Sequence, residues 1–184
     1  MGDIIRPHGG YAGLKAFQTA EIIYDATVVF CRRFLDRRSR TVDQMVQAAR
    51  SGRQNIAEGS QASGTSRKTE LKLVGVARAS QEELLLDYQD FLRQKGLTLW
   101  KKDDPRALAV RRRAYRSNRS YRTYQSLFEK GSPENAANAA ICLIHQCNFL
   151  LDRLLERLER DFLQQGGFTE KLHRARTLSR KNKP

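Results

Sequence analysis

The chain has 184 residues, of which 40% are hydrophobic and 29% charged. That is enough apolar material for one buried core and too much for wholesale disorder. Twelve glycines and four prolines exclude collagen-like and proline-rich classes. Lys and Arg number 34 against 20 Asp and Glu, a formal net charge of +14, which points to a polyanionic partner, nucleic acid before anionic lipid.

No run approaches the roughly 18 uncharged apolar residues that a membrane helix needs. In residues 1–13, Ile4 and Ile5 stand alone among polar residues and glycines, so no secretory signal is read there and a flexible N-terminus is expected. Cys31, Cys142 and Cys147 are an odd number in hydrophobic surroundings, which fits reduced, buried thiols and a cytoplasmic location.

The charge is uneven. Residues 105–130 carry a net +7 and residues 166–184 a net +5, while residues 131–165 carry −2. Any electrostatic footprint therefore belongs to the 105–130 segment and the tail.

Four long segments read as helices and none as a sheet. The first covers about 14–35, with Leu14, Phe17, Glu21, Tyr24, Val28, Cys31 and Leu35 at three- and four-residue steps, flanked by further apolar residues that imply neighbours on more than one side. The second opens on a capping box, Thr41 with Gln44, and stops at Gly59. Gly52 in its middle marks either the close approach of another helix or a weak spot. After a polar loop, 61–66, the third runs to about Lys95 with Leu71, Val74, Ala77, Gln81, Leu84, Tyr88 and Phe91 in near-heptad order, and Gly96 ends it. Asp104-Pro105 pairs an N-cap with proline at the first helical position. It opens an Arg-rich helical segment with a thin apolar line: Ala107, Val110, Ala114, Tyr121, Tyr124 and Phe128. Ser132-Pro133-Glu134 starts the last long helix, which Gly166-Gly167 closes, and a short tail capped by Thr169 frays at its end.

Helices of this length joined by short loops pack most simply as an antiparallel up-down bundle. The expected fold is thus all-α: a four-helix bundle over residues 14–165, with an Arg-rich helical insertion at 105–130 and a basic tail at 166–184.

The Arg-rich segment is the most informative feature. Arg111, Arg112, Arg113, Arg116, Arg119 and Arg122 would cover a wide arc of one helix, with Tyr115, Tyr121 and Tyr124 between them. Guanidinium groups match phosphate geometry and tyrosine rings offer bases a stacking surface. Six phosphate contacts would give a log–log salt slope of about −4 to −5. The plainer alternatives are a solvated helix or a surface pairing with acids on another subunit. The tail adds Lys171, Arg174 and Arg176 as auxiliary contacts.

Cys142, His145 and Cys147 do not read as a metal site. Cys147 lies about 140° around the helix from Cys142, and no second cysteine pair has finger spacing, so His145 is expected in the core among buried thiols. Asn55 and Glu58 lack the nucleophile or partner base of a catalytic set, and read as capping or interhelical bonds. No Walker loop, GxGxxG, HExxH or nucleophile elbow occurs, so neither an enzyme nor a cofactor is expected.

The stretch Gln44-Met-Val-Gln-Ala-Ala-Arg-Ser-Gly-Arg-Gln-Asn-Ile-Ala-Glu-Gly59 resembles the signature of a bacterial family of four-helix bundles, first noticed in intervening sequences of 23S ribosomal RNA genes. Gln44, Ala48, Ala49, Ser51 and residues 55–59 match its pattern. Ala77-Arg-Ala-Ser-Gln-Glu-Glu-Leu84 is similar to the family's Ala-Arg-Gly-Ser…Glu-Leu, with Ala79 in place of the glycine. Cys142-Leu-Ile144, Leu150-Leu-Asp152 and Gly166-Gly-Phe168 resemble the variant that carries a suffix domain. The Arg-rich insertion lies outside the family core. The resemblance implies a non-enzymatic bundle that assembles into a ring, commonly a pentamer. It is similar to the accessory protein of diversity-generating retroelements, which binds nucleic acid and a reverse transcriptase. Asn55 and Glu58 carry over only as structural residues.

The sequence thus leads to an oligomeric RNA- or DNA-binding accessory protein, with a reverse transcriptase among its candidate partners and no membrane role. The alternative is a helical scaffold whose basic segments bind an acidic protein.

Overall fold

The computed structural model describes residues 8–165 and 168–181. Seven α-helices, and no strand, occur among the described residues: α1 (Lys15–Phe34), α2 (Arg40–Ala62), α3 (Arg67–Gln94), α4 (Pro105–Arg112), α5 (Tyr121–Glu129), α6 (Pro133–Gln165) and α7 (Phe168–Lys181). The four long helices contact one another in a closed cycle, α1 on α2, α2 on α3, α3 on α6 and α6 on α1. The two short ones lie outside it, α4 on α6 and α5 on α1 and α6.

Residues 1–7 of the expected flexible stretch lie outside the described residues. From there the chain is fastened: the Gly9 N–H donates to Ser60 O at 3.1 Å, and the Tyr11 ring meets Phe17 edge-on at 4.8 Å. The face that α1 buries is not the large-apolar stripe that the sequence spacing suggests. Ala16, Thr19, Ala20, Ile22, Ile23, Ala26, Thr27, Phe30 and Cys31 are buried; of the expected stripe only Cys31 is among them, with Leu14, Phe17, Tyr24 and Leu35 half-buried and Glu21 and Val28 exposed. Small residues win because they let neighbouring backbones come close, and the threonines satisfy their own hydroxyls. Thr19 Oγ1 donates to Lys15 O at 2.7 Å, and Thr27 Oγ1 accepts from the buried Tyr88 hydroxyl at 3.0 Å.

The start of α2 is capped two residues earlier than the expected box, since Ser39 Oγ accepts the Thr41 N–H at 3.2 Å. Gly59 does not end the helix, which continues to Ala62. Gly59 is buried against α3, where a Cβ would stand 3.4 Å from Glu70 O, so its role is close approach rather than termination. Gly52 has the same role: a Cβ there would overlap the Gln81 side chain of α3. Ser51 and Ser80 join the two helices by hydroxyls 2.9 Å apart.

The core of α3 follows the near-heptad expectation, with Val74, Ala77, Gln81, Leu84, Tyr88 and Phe91 buried. Its end is a Schellman motif: Gly96 has φ +63°, its N–H donates to Arg93 O, and the Leu97 N–H to Leu92 O. α3 and α6 run in opposite directions. Arg67 pairs with Asp161 at 3.4 Å, Arg78 with Asp152 at 3.0 Å, and Asn148 donates to Glu82 at 3.2 Å. Residues 136–144 of α6 are buried all round and, Asn138 aside, apolar, because α1, α3, α4 and α5 all pack on this helix.

The connection from α3 to α4 is held by one side chain. Asn138 of α6, 1% exposed, accepts the Trp100 N–H at 2.8 Å and donates to Thr98 O at 2.8 Å. α7 begins at Phe168, so Thr169, the expected cap, lies inside it. The end of the tail, 182–184, and Gly166-Gly167 lie outside the described residues.

Candidate nucleic-acid interface

The start of the basic segment is as the sequence implies. Asp104 caps α4 by accepting the Arg106 N–H at 2.8 Å, with Pro105 at the first helical position. The rest is not one helix. α4 ends at Arg112, a single 3-10 turn covers Arg113–Tyr115, and Arg116 is extended with ψ 137°. Ser120 then starts α5, its N–H donating to the Thr123 hydroxyl at 3.2 Å. Ser117, Asn118 and Ser120 bond local backbone as readily as they continue a helix, and only Tyr124 and Phe128 give α5 a buried anchor. The six arginines therefore do not share one helical arc.

They sort by what they touch. Arg113 donates to Thr123 O at 2.9 Å and Arg119 to Thr19 Oγ1 at 2.6 Å, so both brace the turn from within. Arg111, half-buried, donates to Lys102 O. Arg112, Arg116 and Arg122 are exposed and form no hydrogen bond or ion pair among the described residues. Tyr115 is 89% exposed. Tyr121 is half-buried, its hydroxyl donating to Glu129 at 3.4 Å, and burial with that carboxylate pushes its phenol up to about 12. Tyr124 is fully buried beneath the turn. Burial raises its pKa, against the lowering effect of Arg119, Arg113 and Arg116, which the turn gathers around it.

The outcome is a ridge with Arg112, Tyr115 and Arg116 presented to solvent. Arg122 sits on its α1 side, beside a shallow groove bordered by Glu21 and Asp25. Arg176 is exposed on α7, and the side chains of Lys171 and Arg174 lie outside the described residues.

His145 is not a core residue: it is exposed, because its place on α6 faces the space behind the ridge rather than the helix cycle. Desolvation nevertheless holds its imidazole below the usual range, with Glu82 opposing and Arg111 and Arg78 adding to the effect. Cys31, Cys142 and Cys147 are buried and unpaired. Burial pushes the Cys31 and Cys147 thiols up to about 12, far from a reactive thiolate. Among the described residues no group of three His, Cys, Asp or Glu could hold a metal ion. Asn55 donates to Ser51 O and Oγ at 2.9 and 3.0 Å, while Glu58 is exposed.

Behind the ridge, α4 and the 3-10 turn leave a cavity of about 860 Å³ against α6. Its walls include Trp100, Ile141 and Phe149. Sequence reasoning missed it, because Phe149 is merely off the apolar stripe of α6 and Trp100 lies in a connection. The adjacent pair Lys101-Lys102 was the signal nearest to it. No family model, no curated protein and no solved structure matches the chain. No helix among the described residues is long and apolar enough to cross a membrane.

Proposed function

We propose that the chain is a non-enzymatic, oligomeric nucleic-acid-binding accessory protein of the cytoplasm, and that its four long helices form the up-down bundle of the family it resembles. The observation that carries the reading is the solvent-facing ridge of Arg112, Tyr115 and Arg116. It stands on a segment, 105–130, whose single acid is Glu129. Unpaired guanidinium groups around an exposed phenol ring offer phosphate contacts and one stacking surface without base-edge readout. Val76, Leu86 and Leu163, 41%, 56% and 75% exposed, supply apolar surface for self-association. A ring, with five copies favoured by the resemblance, would align equivalent ridges and gain avidity from weak single contacts. A reverse transcriptase is the partner that the same resemblance brings in.

Light scattering coupled to size exclusion, with and without mixed-length RNA at two salt concentrations, tests this directly. The expected result is a defined oligomer that takes up RNA at low salt and releases it at high salt. Replacing Arg112, Arg116 and Arg122 together with Gln should lower the log–log salt slope by about 2 to 3 and leave the helical circular dichroism intact. RNA retention unchanged in that variant would remove the ridge from the interface. Capture of an acidic protein with no length-dependent nucleic-acid affinity would favour the scaffold reading instead.

A further inference from the structure

The cavity behind the ridge has the properties of a small-molecule site. At about 860 Å³ it lies within the roughly 300–1,000 Å³ range of ligand pockets. One wall is the outer face of α6, with Ile141, Phe149 and Leu150, and the opposite wall is Leu99, Trp100 and Ala107. That second wall is fixed in place rather than draped. Asn138 bonds the Trp100 backbone, Glu134 accepts from the indole N–H at 3.4 Å, and the Arg106 guanidinium stacks 4.6 Å over the ring. The slot is thus largely formed before anything enters it.

Its charge is one-sided. Lys15, Lys102, Arg111 and Arg119 line it, and no Asp or Glu does. None of these four cations forms an ion pair among the described residues. Arg106 next door does, with Asp104 at 2.9 Å and Glu134 at 3.2 Å. Of the neutral polar lining, Asn138 has its partners within the chain, and Gln146 donates to Arg111 O at 3.4 Å. Apolar walls and a cationic rim together specify one ligand class.

We propose that this cavity binds a small amphiphilic organic anion, its aromatic or alkyl body against Trp100 and Phe149 and its acid group at Arg111, Lys102 and Lys15. The site borders the ridge through Tyr115 but includes neither Arg112 nor Arg116, and it does not rest on the nucleic-acid reading.

Trp100 is the chain's single tryptophan and forms part of the wall, so its emission reports occupancy. The full-length protein, free of RNA, is titrated with anilinonaphthalene sulfonate, then with decanoate and decanol as a pair differing in charge. The expected result is one saturable sulfonate site per chain with energy transfer from Trp100, displacement by decanoate, and decanol weaker by about tenfold or more. Lys102→Gln with Arg111→Gln should bring decanoate down to the level of decanol, and Ala114→Phe should fill the cavity and abolish uptake. The charge variants keep the test decisive if the larger side chain disturbs folding. Equal affinity for decanoate and decanol, or unsaturable uptake at many sites, overturns the proposal. So does a signal that emerges only on dilution to single chains, which would mean that a second copy covers the groove.

Discussion

Gln81 shows how one residue can be right for packing and wrong for polarity. It is fully buried, it fills the space above Gly52, and neither its amide nitrogen nor its amide oxygen has a partner. Its methylenes close the α2–α3 contact while its amide loses water without compensation, a loss of about 1–3 kcal/mol for a buried unpaired polar group. Met has similar length and helix propensity without the amide. Gln81→Met is therefore expected to stabilise the fold by about 1–2 kcal/mol, read as a raised urea midpoint at unchanged m-value. A lowered midpoint would show that the amide does find a donor or acceptor. Gly52 and Gln81 form a matched pair, so any side chain added at 52 must displace the amide first.

Among the elements, the break inside residues 105–130 matters most. The sequence announces where the segment starts, since Asp104-Pro105 is a local signal that needs no tertiary partner. It announces the break only weakly, through Ser117, Asn118 and Ser120, because Arg and Ala have high helix propensity and the turn is held by one bond within the segment and one to α1. Arg113 reaches across to α5 and Arg119 reaches α1, one hundred positions away in sequence. The same limit explains α1, where periodicity was legible but the choice between two overlapping faces was decided by which one lets helices approach. The α3 stripe, its Gly96 stop and the Ser132-Pro133 start of α6 were readable because local chemistry and packing agree there. Of the candidate site, the basic character was legible and the division into bracing and presented arginines was not. That division is testable. Arg119→Gln should raise the rate of tryptic cleavage at Arg116 several-fold by freeing the turn, while the global urea midpoint moves by no more than about 0.5 kcal/mol equivalent. Cleavage as slow as in the parent would mean that the turn is held without the Thr19 bond.

For the whole molecule, high pH sets two effects against each other. The formal charge of +14 repels itself in the compact state. As pH rises toward the lysine range near 10.4 that repulsion falls, which alone would stabilise the fold. Against it stand Cys31 and Cys147, raised from an ordinary 9.0 to about 12 by burial. Between those values the unfolded chain has released the thiol protons and the folded chain has kept them. The native state then binds more protons, and its stability falls as pH rises through the window. The buried groups should win, because surface repulsion acts through water and is screened within about 10 Å at ordinary salt. Urea midpoints are thus expected to be level up to about pH 9 and to drop beyond it, by the same amount at 50 mM and 500 mM salt. Cys147→Ala should lower the midpoint at pH 7 by about 1 kcal/mol and make the alkaline drop shallower. A drop that vanished at high salt would locate the alkaline weakness in the surface charge. One that kept its full slope in the variant would place it on the other buried groups, Cys31 and Tyr88 among them, and not on the contact between Cys147 of α6 and Ala16 of α1.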